Sequence, residues 1–318
     1  MPLLWLNSCY DRAACENSFM VVSNIISSKA IVSIVIPSYN RSQILLQSLE
    51  RVNCLLNYCE LFRTFFSIII LDNASEDLEG YKNIANTCKK YGFSYFRSPS
   101  NTGAYSNFCR AYACSSTSPY LWILSDDEIL QGFSLRVIHA LLTKNSGRPA
   151  LIGFNALHTG IPFIGSCKEW ISQAIKINFS LITSLTLVSS IIFDRKLFSL
   201  ETFWCYEAHW FPHSYAVFGS AISFDVKICI IQSSCYITES GNTAIERAAN
   251  KESAEISMLN SQFQTACLQF LNYCIRLAGH EPLSQHEYVN KISNDFSIHP
   301  DYIWKGMQPI TSFHIVNV

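Results

Sequence analysis

Three consecutive carboxylates, Asp126-Asp127-Glu128, stand behind the apolar run Tyr120-Leu121-Trp122-Ile123-Leu124 and Ser125. The run is short, aromatic and β-branched, the pattern of a strand buried on both faces. In an open α/β sheet the ligand site lies past the carboxyl ends of the strands, which is where these acids fall. No Lys or Arg stands among them, so the like charges repel and raise one another's pKa. A hard divalent cation, Mg²⁺ or Mn²⁺, would relieve that repulsion, because such ions choose carboxylate oxygens. The plain alternative is a solvated acidic turn or a helix N-terminus.

Two more polar loops follow apolar runs in the same manner. Ser38-Tyr39-Asn40-Arg41 follows Ile31 to Pro37, and Asp72-Asn73-Ala74-Ser75 follows Phe65 to Leu71. Three such loops at one sheet edge predict a ligand cleft. A second group of titratable residues, Glu207, His209 and His213, lies among Trp204, Tyr206, Trp210, Phe211 and Tyr215. A carboxylate or imidazole there could serve as a general base, or simply be structural. The i, i+4 spacing of His209 and His213 comes without an HExxH motif, so zinc is a weak reading.

The elements that must position these loops alternate. A helix is expected from Ser42, with Leu45, Leu46, Leu49, Val52 and Leu56 at helical spacing. A second is expected after Ser75 as N-cap, with Lys89 and Lys90 in its last turn and Gly92 ending it. Phe93–Arg97 reads as a strand, and Asn101-Thr102-Gly103 opens a helix. Beyond Glu128 we expect a helix over 133–144 and strands at 150–157 and 189–193. Phe224–Ile231 and Cys235–Thr238 read as an antiparallel pair, followed by helices over 243–277 and 284–296. Strand–helix alternation with short loops predicts an α/β fold with a mainly parallel central sheet and a helical C-terminal region. No GxGxxG follows the first strand and no GxxxxGK[ST] occurs, which disfavours dinucleotide and P-loop sites.

Composition narrows the class. Of 318 residues, 49% are hydrophobic and 15% charged, enough apolar material for a large core. The net charge is −1 with no basic run, so no nucleic-acid partner is expected. The 13 cysteines form no CxxC pair and read as small core residues of a reducing cytoplasm. Residues 1–29 read as an arm outside the fold, since Asp11, Arg12 and Glu16 interrupt its apolar start. The apolar stretch Leu181–Phe193 is too short and too rich in Ser and Thr to span a membrane, which leaves room only for peripheral contact.

Taken together, Ile34-Val35-Ile36-Pro37-Ser38-Tyr39-Asn40-Arg41, Ile70-Leu71-Asp72-Asn73-Ala74-Ser75, Asn101-Thr102-Gly103 and Leu124-Ser125-Asp126-Asp127-Glu128 resemble family 2 glycosyltransferases of GT-A fold. Glu239-Ser240-Gly241-Asn242 extends the likeness to bacterial O-antigen enzymes of the abequosyltransferase kind. The resemblance implies an inverting transfer from a nucleotide-sugar to a saccharide acceptor, lipid-linked and belonging to a surface polysaccharide, on the cytoplasmic side. It implies a nucleotide-sugar-binding half over 30–130, an acceptor-binding half over 131–242 and a helical region over 243–318. Asp72 would accept from the donor's base, and Pro37 and Tyr39 would shape the base pocket. Asn40, Arg41, Asn73, Asn101 and Gly103 would complete the donor site. Asp126 would hold the ribose or the metal, and Asp127, with Glu128, the divalent ion. Glu207, or after it His213, would be the base, with Asp194 and Asp225 next in line. Glu128 departs from the usual third aspartate. The rivals are a sugar nucleotidyltransferase, whose Gly-rich basic loop is missing, and a non-catalytic nucleotide-sugar-binding protein.

Overall fold

The computed structural model describes residues 20–22, 30–144, 147–154, 162–177, 180–231, 236–238 and 253–288. The strands are β1 (Met20–Val22), β2 (Val32–Ser38), β3 (Phe66–Asp72), β4 (Ser94–Arg97), β5 (Tyr120–Ile123), β6 (Glu128–Leu130), β7 (Leu151–Phe154), β8 (Phe163–Ser166), β9 (Ile191–Asp194), β10 (Lys227–Ile231) and β11 (Tyr236–Thr238). The helices are α1 (Ser42–Asn57), α2 (Glu60–Phe65), α3 (Leu78–Tyr91), α4 (Gly103–Cys114), α5 (Ser134–Thr143), α6 (Cys167–Ile177), α7 (Ser180–Thr183), α8 (Leu200–Cys205), α9 (Pro212–Ser223) and α10 (Ser253–Leu277).

Nine strands form one sheet in the order β1-β4-β3-β2-β5-β9-β7-β10-β8. Its centre, β4-β3-β2-β5, is parallel throughout. β9 runs antiparallel to β5 and β7, whereas β7 and β10 are parallel to each other. The fold is therefore α/β with a largely parallel sheet, in which the edge strands β1 and β8 and the inner strand β9 run antiparallel to their neighbours.

Strand residues alternate between two cores, as the period of two requires. Val32, Ile34 and Ile36 of β2 face α1 and α3 through Leu45, Leu49, Val52, Tyr81 and Ile84. Val35 looks the other way, into the core built from α6, α9 and α10 with Trp170, Phe218 and Phe270. Both cores draw residues from each side of position 130, and the sheet does not divide there.

Three local expectations change. α3 is capped by Asp77, whose side chain accepts from the Gly80 N–H at 2.9 Å, not by Ser75. Ser75 is already used: its hydroxyl accepts from the Asn40 N–H and its own N–H donates to Asp72. β10 and β11 are not an antiparallel pair. β10 lies between β7 and β8, and β11 pairs with β6, so that Thr238 stands opposite Glu128. Apolar alternation marks a strand but carries no information about which edge it joins. Finally, β1 pairs with β4, so part of the 1–29 arm lies on the sheet. Residues 239–242, 243–252 and 289–296, on which a motif and two helix expectations bear, lie outside the described residues.

Candidate active site

Four parallel strands deliver polar residues to one edge. Ser38 ends β2, Asp72 ends β3 in register with it, and Arg97 ends β4 in register with Asp72. β5 follows on the other flank of β2, and the Leu124 N–H donates to the Val35 carbonyl at 2.9 Å, which sets Ser125–Glu128 beside Ser38.

The β2–α1 and β3–α3 loops are knitted together. The Asn40 side chain accepts from the Glu76 N–H at 2.7 Å, and the Asn73 N–H donates to the Ser38 carbonyl at 3.0 Å. Asn40 and Ala74 both have positive φ, 55° and 61°. Asn tolerates that conformation, whereas Ala adopts it only where its surroundings enforce it. The β4–α4 loop joins the same network. The Asn73 amide donates to Asn101 Oδ1 at 2.7 Å, and Asn73 Oδ1 accepts from the Thr102 N–H. Asn101 Oδ1 also accepts from the N–H of Gly103, whose φ of 81° suits glycine. Pro37 lies in β2, and Tyr39 beside it is exposed, its hydroxyl 3.4 Å from Glu76.

Asp72 is fully buried, and both of its oxygens accept hydrogen bonds. One oxygen accepts from the Ser75 N–H at 2.8 Å, the other from the Tyr95 hydroxyl at 2.7 Å and from Arg97. Arg97 also donates to the Ser75 carbonyl at 2.7 Å. Sequence reasoning missed Arg97 and Tyr95. The available signal was that both lie on the strand beside Asp72.

The acidic cluster also differs from its sequence picture, because a cation is already present. Arg41 Nη1 donates to Asp126 Oδ1 at 2.9 Å and lies 3.1 Å from Asp127 Oδ2. Asp126 accepts in addition from the Ser38 hydroxyl at 2.6 Å, which in turn lies 2.5 Å from the Tyr81 hydroxyl. The Ser48 hydroxyl donates to the Asp126 carbonyl, and the Ser125 hydroxyl to Asp127 Oδ1. Burial raises the pKa of Asp126 in spite of Ser38 and Arg41. Partial burial opposes the charge on Arg41, but Asp126 and Asp127 outweigh it and the pKa is raised.

Glu128 is turned elsewhere. Its carboxylate accepts from the Ser125 N–H at 3.1 Å, and burial pushes it up to about 8 against that bond and one from Ser189. Among the described residues no group of three or more His, Cys, Asp or Glu side chains is gathered for a metal ion. Two donors do fit one: Asp126 Oδ1 and Asp127 Oδ2 converge on a single nitrogen, and hard carboxylate oxygens suit Mg²⁺ or Mn²⁺.

The candidate bases separate. Glu207 is exposed, although aromatic residues flank it in the sequence. Its segment faces the site edge: the Tyr105 hydroxyl, in the first turn of α4, donates to the His209 carbonyl at 3.2 Å. His213 is 7% exposed, with Nε2 2.9 Å from the Thr186 carbonyl and the ring against Phe108. A carbonyl only accepts, so Nε2 carries the proton and Nδ1 is bare, without a partner among the described residues. Burial lowers this imidazole to about 4. Asp194 ends β9 opposite Tyr120, and Asp225 precedes β10, so both fallback bases lie at the opposite edge of the sheet.

Residues 33–146 match the family model of glycosyl transferase family 2. That segment contains the loops at residues 38–41, 72–75, 101–103 and 125–128 that meet at this sheet edge. No curated protein matches the chain. Among solved structures, residues 1–349 of S. aureus TarS in complex with UDP-GlcNAc align at 14% identity over 86% of this chain and 78% of that one, with a TM-score of 0.50. The mannosyltransferase PcManGT from Pyrobaculum calidifontis, in complex with GDP-Man and Mn²⁺, aligns at 11% identity over 88% and 84%, with a TM-score of 0.45. The TarS likeness bears on architecture, which is the GT-A type of α/β fold.

Proposed function

We propose that the protein is a glycosyltransferase that moves a sugar from a nucleotide-sugar to a hydroxyl of a saccharide acceptor, with inversion. The observation that carries this reading is the convergence of Ser38, Asp72, Arg97 and Asp126–Asp127 at the carboxyl ends of four adjacent parallel strands, within the segment that matches family 2. The nucleotide-sugar bound to TarS, whose fold is similar, supports a ligand of that class.

In this reading Tyr39, exposed at the rim, offers its ring to the base. Asp72 offers the base's N–H edge the one acceptor position that Ser75, Tyr95 and Arg97 leave on its carboxylate. Asn40, Asn73, Asn101 and Gly103 hold the loops in place around the donor. A divalent ion at Asp127 and Asp126 would neutralise charge on the leaving diphosphate. Glu207, at the surface and on the site side, takes the proton of the acceptor hydroxyl as that oxygen attacks the anomeric carbon and the bond to the diphosphate breaks. Its exposure is compatible with a base that meets its acceptor only when the acceptor arrives. His213 is second, since a depressed, enclosed imidazole is a weak base at neutral pH. The similarity to O-antigen enzymes favours a lipid-linked acceptor at the inner face of the membrane. No helix among the described residues is long and apolar enough to cross one, so the contact would be peripheral.

The test is thermal unfolding with UDP-, GDP-, CDP- and TDP-sugars, each with and without Mn²⁺. A cognate donor at about 100 Kd adds about 2.7 kcal/mol to the folded state. No shift with any of them would remove the donor site. For the base, Glu207→Gln should cut kcat about 10²–10⁴-fold with donor affinity nearly unchanged. Near-normal turnover would move the role to another residue.

A further inference from the structure

We infer that Arg41 is a resident counter-cation that closes the Asp126–Asp127 pair to a divalent ion until the donor's diphosphate draws the guanidinium away. Metal and donor then bind as a coupled pair. The inference rests on the donor-site reading above.

The geometry supports competition for one position. Arg41 Nη1 touches Asp126 Oδ1 and Asp127 Oδ2 at 2.9 and 3.1 Å, and these are the two oxygens that would hold a divalent ion. The two sides of this contact are unequally free. Asp126 is anchored by Ser38 and by the Ser48 bond to its backbone. Among the described residues the Arg41 side chain bonds to Asp126 and Asp127 alone and is 29% exposed, while its backbone N–H donates to the Tyr81 hydroxyl at 3.2 Å. The guanidinium can therefore leave while the carboxylates stay.

The charge balance makes leaving unfavourable for metal alone. A divalent ion entering by itself would displace Arg41 and leave a guanidinium unpaired beside a like charge. A diphosphate changes this. It brings negative oxygens to the same edge, and planar guanidinium pairs with phosphate bidentately. Each ligand thus prepares the site of the other, and by linkage the coupling is reciprocal.

The experiment follows free Mn²⁺ by electron paramagnetic resonance during titration of the native protein and of Arg41→Gln, first alone and then with UDP or GDP. Removing one positive charge in direct contact should tighten binding of Mn²⁺ alone about tenfold or more, the scale on which neighbouring charges move ionic equilibria. The gain in Mn²⁺ affinity on adding nucleotide should shrink by the same factor. Arg41→Met, which keeps the apolar stem, repeats the measurement if the glutamine variant does not fold. Equal or weaker Mn²⁺ binding by the variant, with nucleotide still bound by both proteins, overturns the inference and leaves the donor site standing. If neither protein takes up any of UDP, GDP, CDP or TDP with or without Mn²⁺, the donor-site reading itself fails and the inference with it.

Discussion

Two aspartates at the same sheet edge hold opposite positions in the energetics. Asp72 is buried and bonded to Ser75, Tyr95 and Arg97. Asp72→Ala strands a partly exposed guanidinium and an enclosed hydroxyl, so it should cost about 2–3 kcal/mol in urea denaturation as well as donor affinity. Asp127 keeps 17% of its side chain exposed and shares Arg41 with Asp126. Asp127→Ala should change stability by less than about 1 kcal/mol while abolishing metal-dependent nucleotide binding in calorimetry. A large stability loss there would mean that the acid serves the fold. His213 supplies a pH test. Burial lowers its folded pKa to about 4, from the 6.5 of an ordinary imidazole. The unfolded chain therefore binds the extra proton first. The contribution is fully present above about pH 6.5 and is lost as pH falls toward 4, for a total of roughly 3 kcal/mol. Denaturation at pH 4.5 and 7.5 should show a smaller difference for His213→Phe than for the native protein.

At the scale of elements, the segment that carries the proposed base depends on α10. Phe270 is fully buried, 5.2 Å from Tyr215 and 5.7 Å from Phe218 between ring centroids. Tyr273 packs on Tyr206 and Tyr215, and these two stack at 4.1 Å with only 8° between their planes. Tyr206 immediately precedes Glu207. The helix thus braces the segment that carries the proposed base. Phe270→Ala should cost about 3–5 kcal/mol. In kinetic assays at a temperature where the variant is still folded, acceptor KM should rise more than donor KM, because Tyr273 of α10 packs directly on Tyr206, next to Glu207. Equal effects on both would deny α10 its bracing role.

For the molecule as a whole, one sheet runs through both sides of position 130. The core beneath the donor edge includes Leu135, Ile138, Leu142, Ile152, Phe154 and Ile192, all C-terminal to it. A 30–130 fragment would expose that face and leave β5 without β9. It should lack cooperative unfolding by circular dichroism, and the full chain should show coincident near- and far-ultraviolet transitions. A folded fragment would show that the donor half is an independent domain.

Local order was written into the chain. The apolar runs of β2, β3, β4 and β5, the spacing of α1, the left-handed Gly92 that ends α3 and the polar loops behind each strand are properties of short stretches. Parallel pairing of consecutive strand–helix units then carries those loops to one edge, so the place of the candidate site follows from sequence alone. Side-chain partners do not follow, because they join residues 85 positions apart, as Arg41 and Asp126 do, or 104 apart, as Tyr105 and His209 do. Only the tertiary structure decided that the acids have a cation between them, that Glu128 turns away, that His213 is enclosed and Glu207 open, and that β11 returns to lie beside Glu128. Periodicity records which face of an element is apolar. It leaves open which distant group fills the space opposite a charge, and that pairing sets the chemistry of this edge.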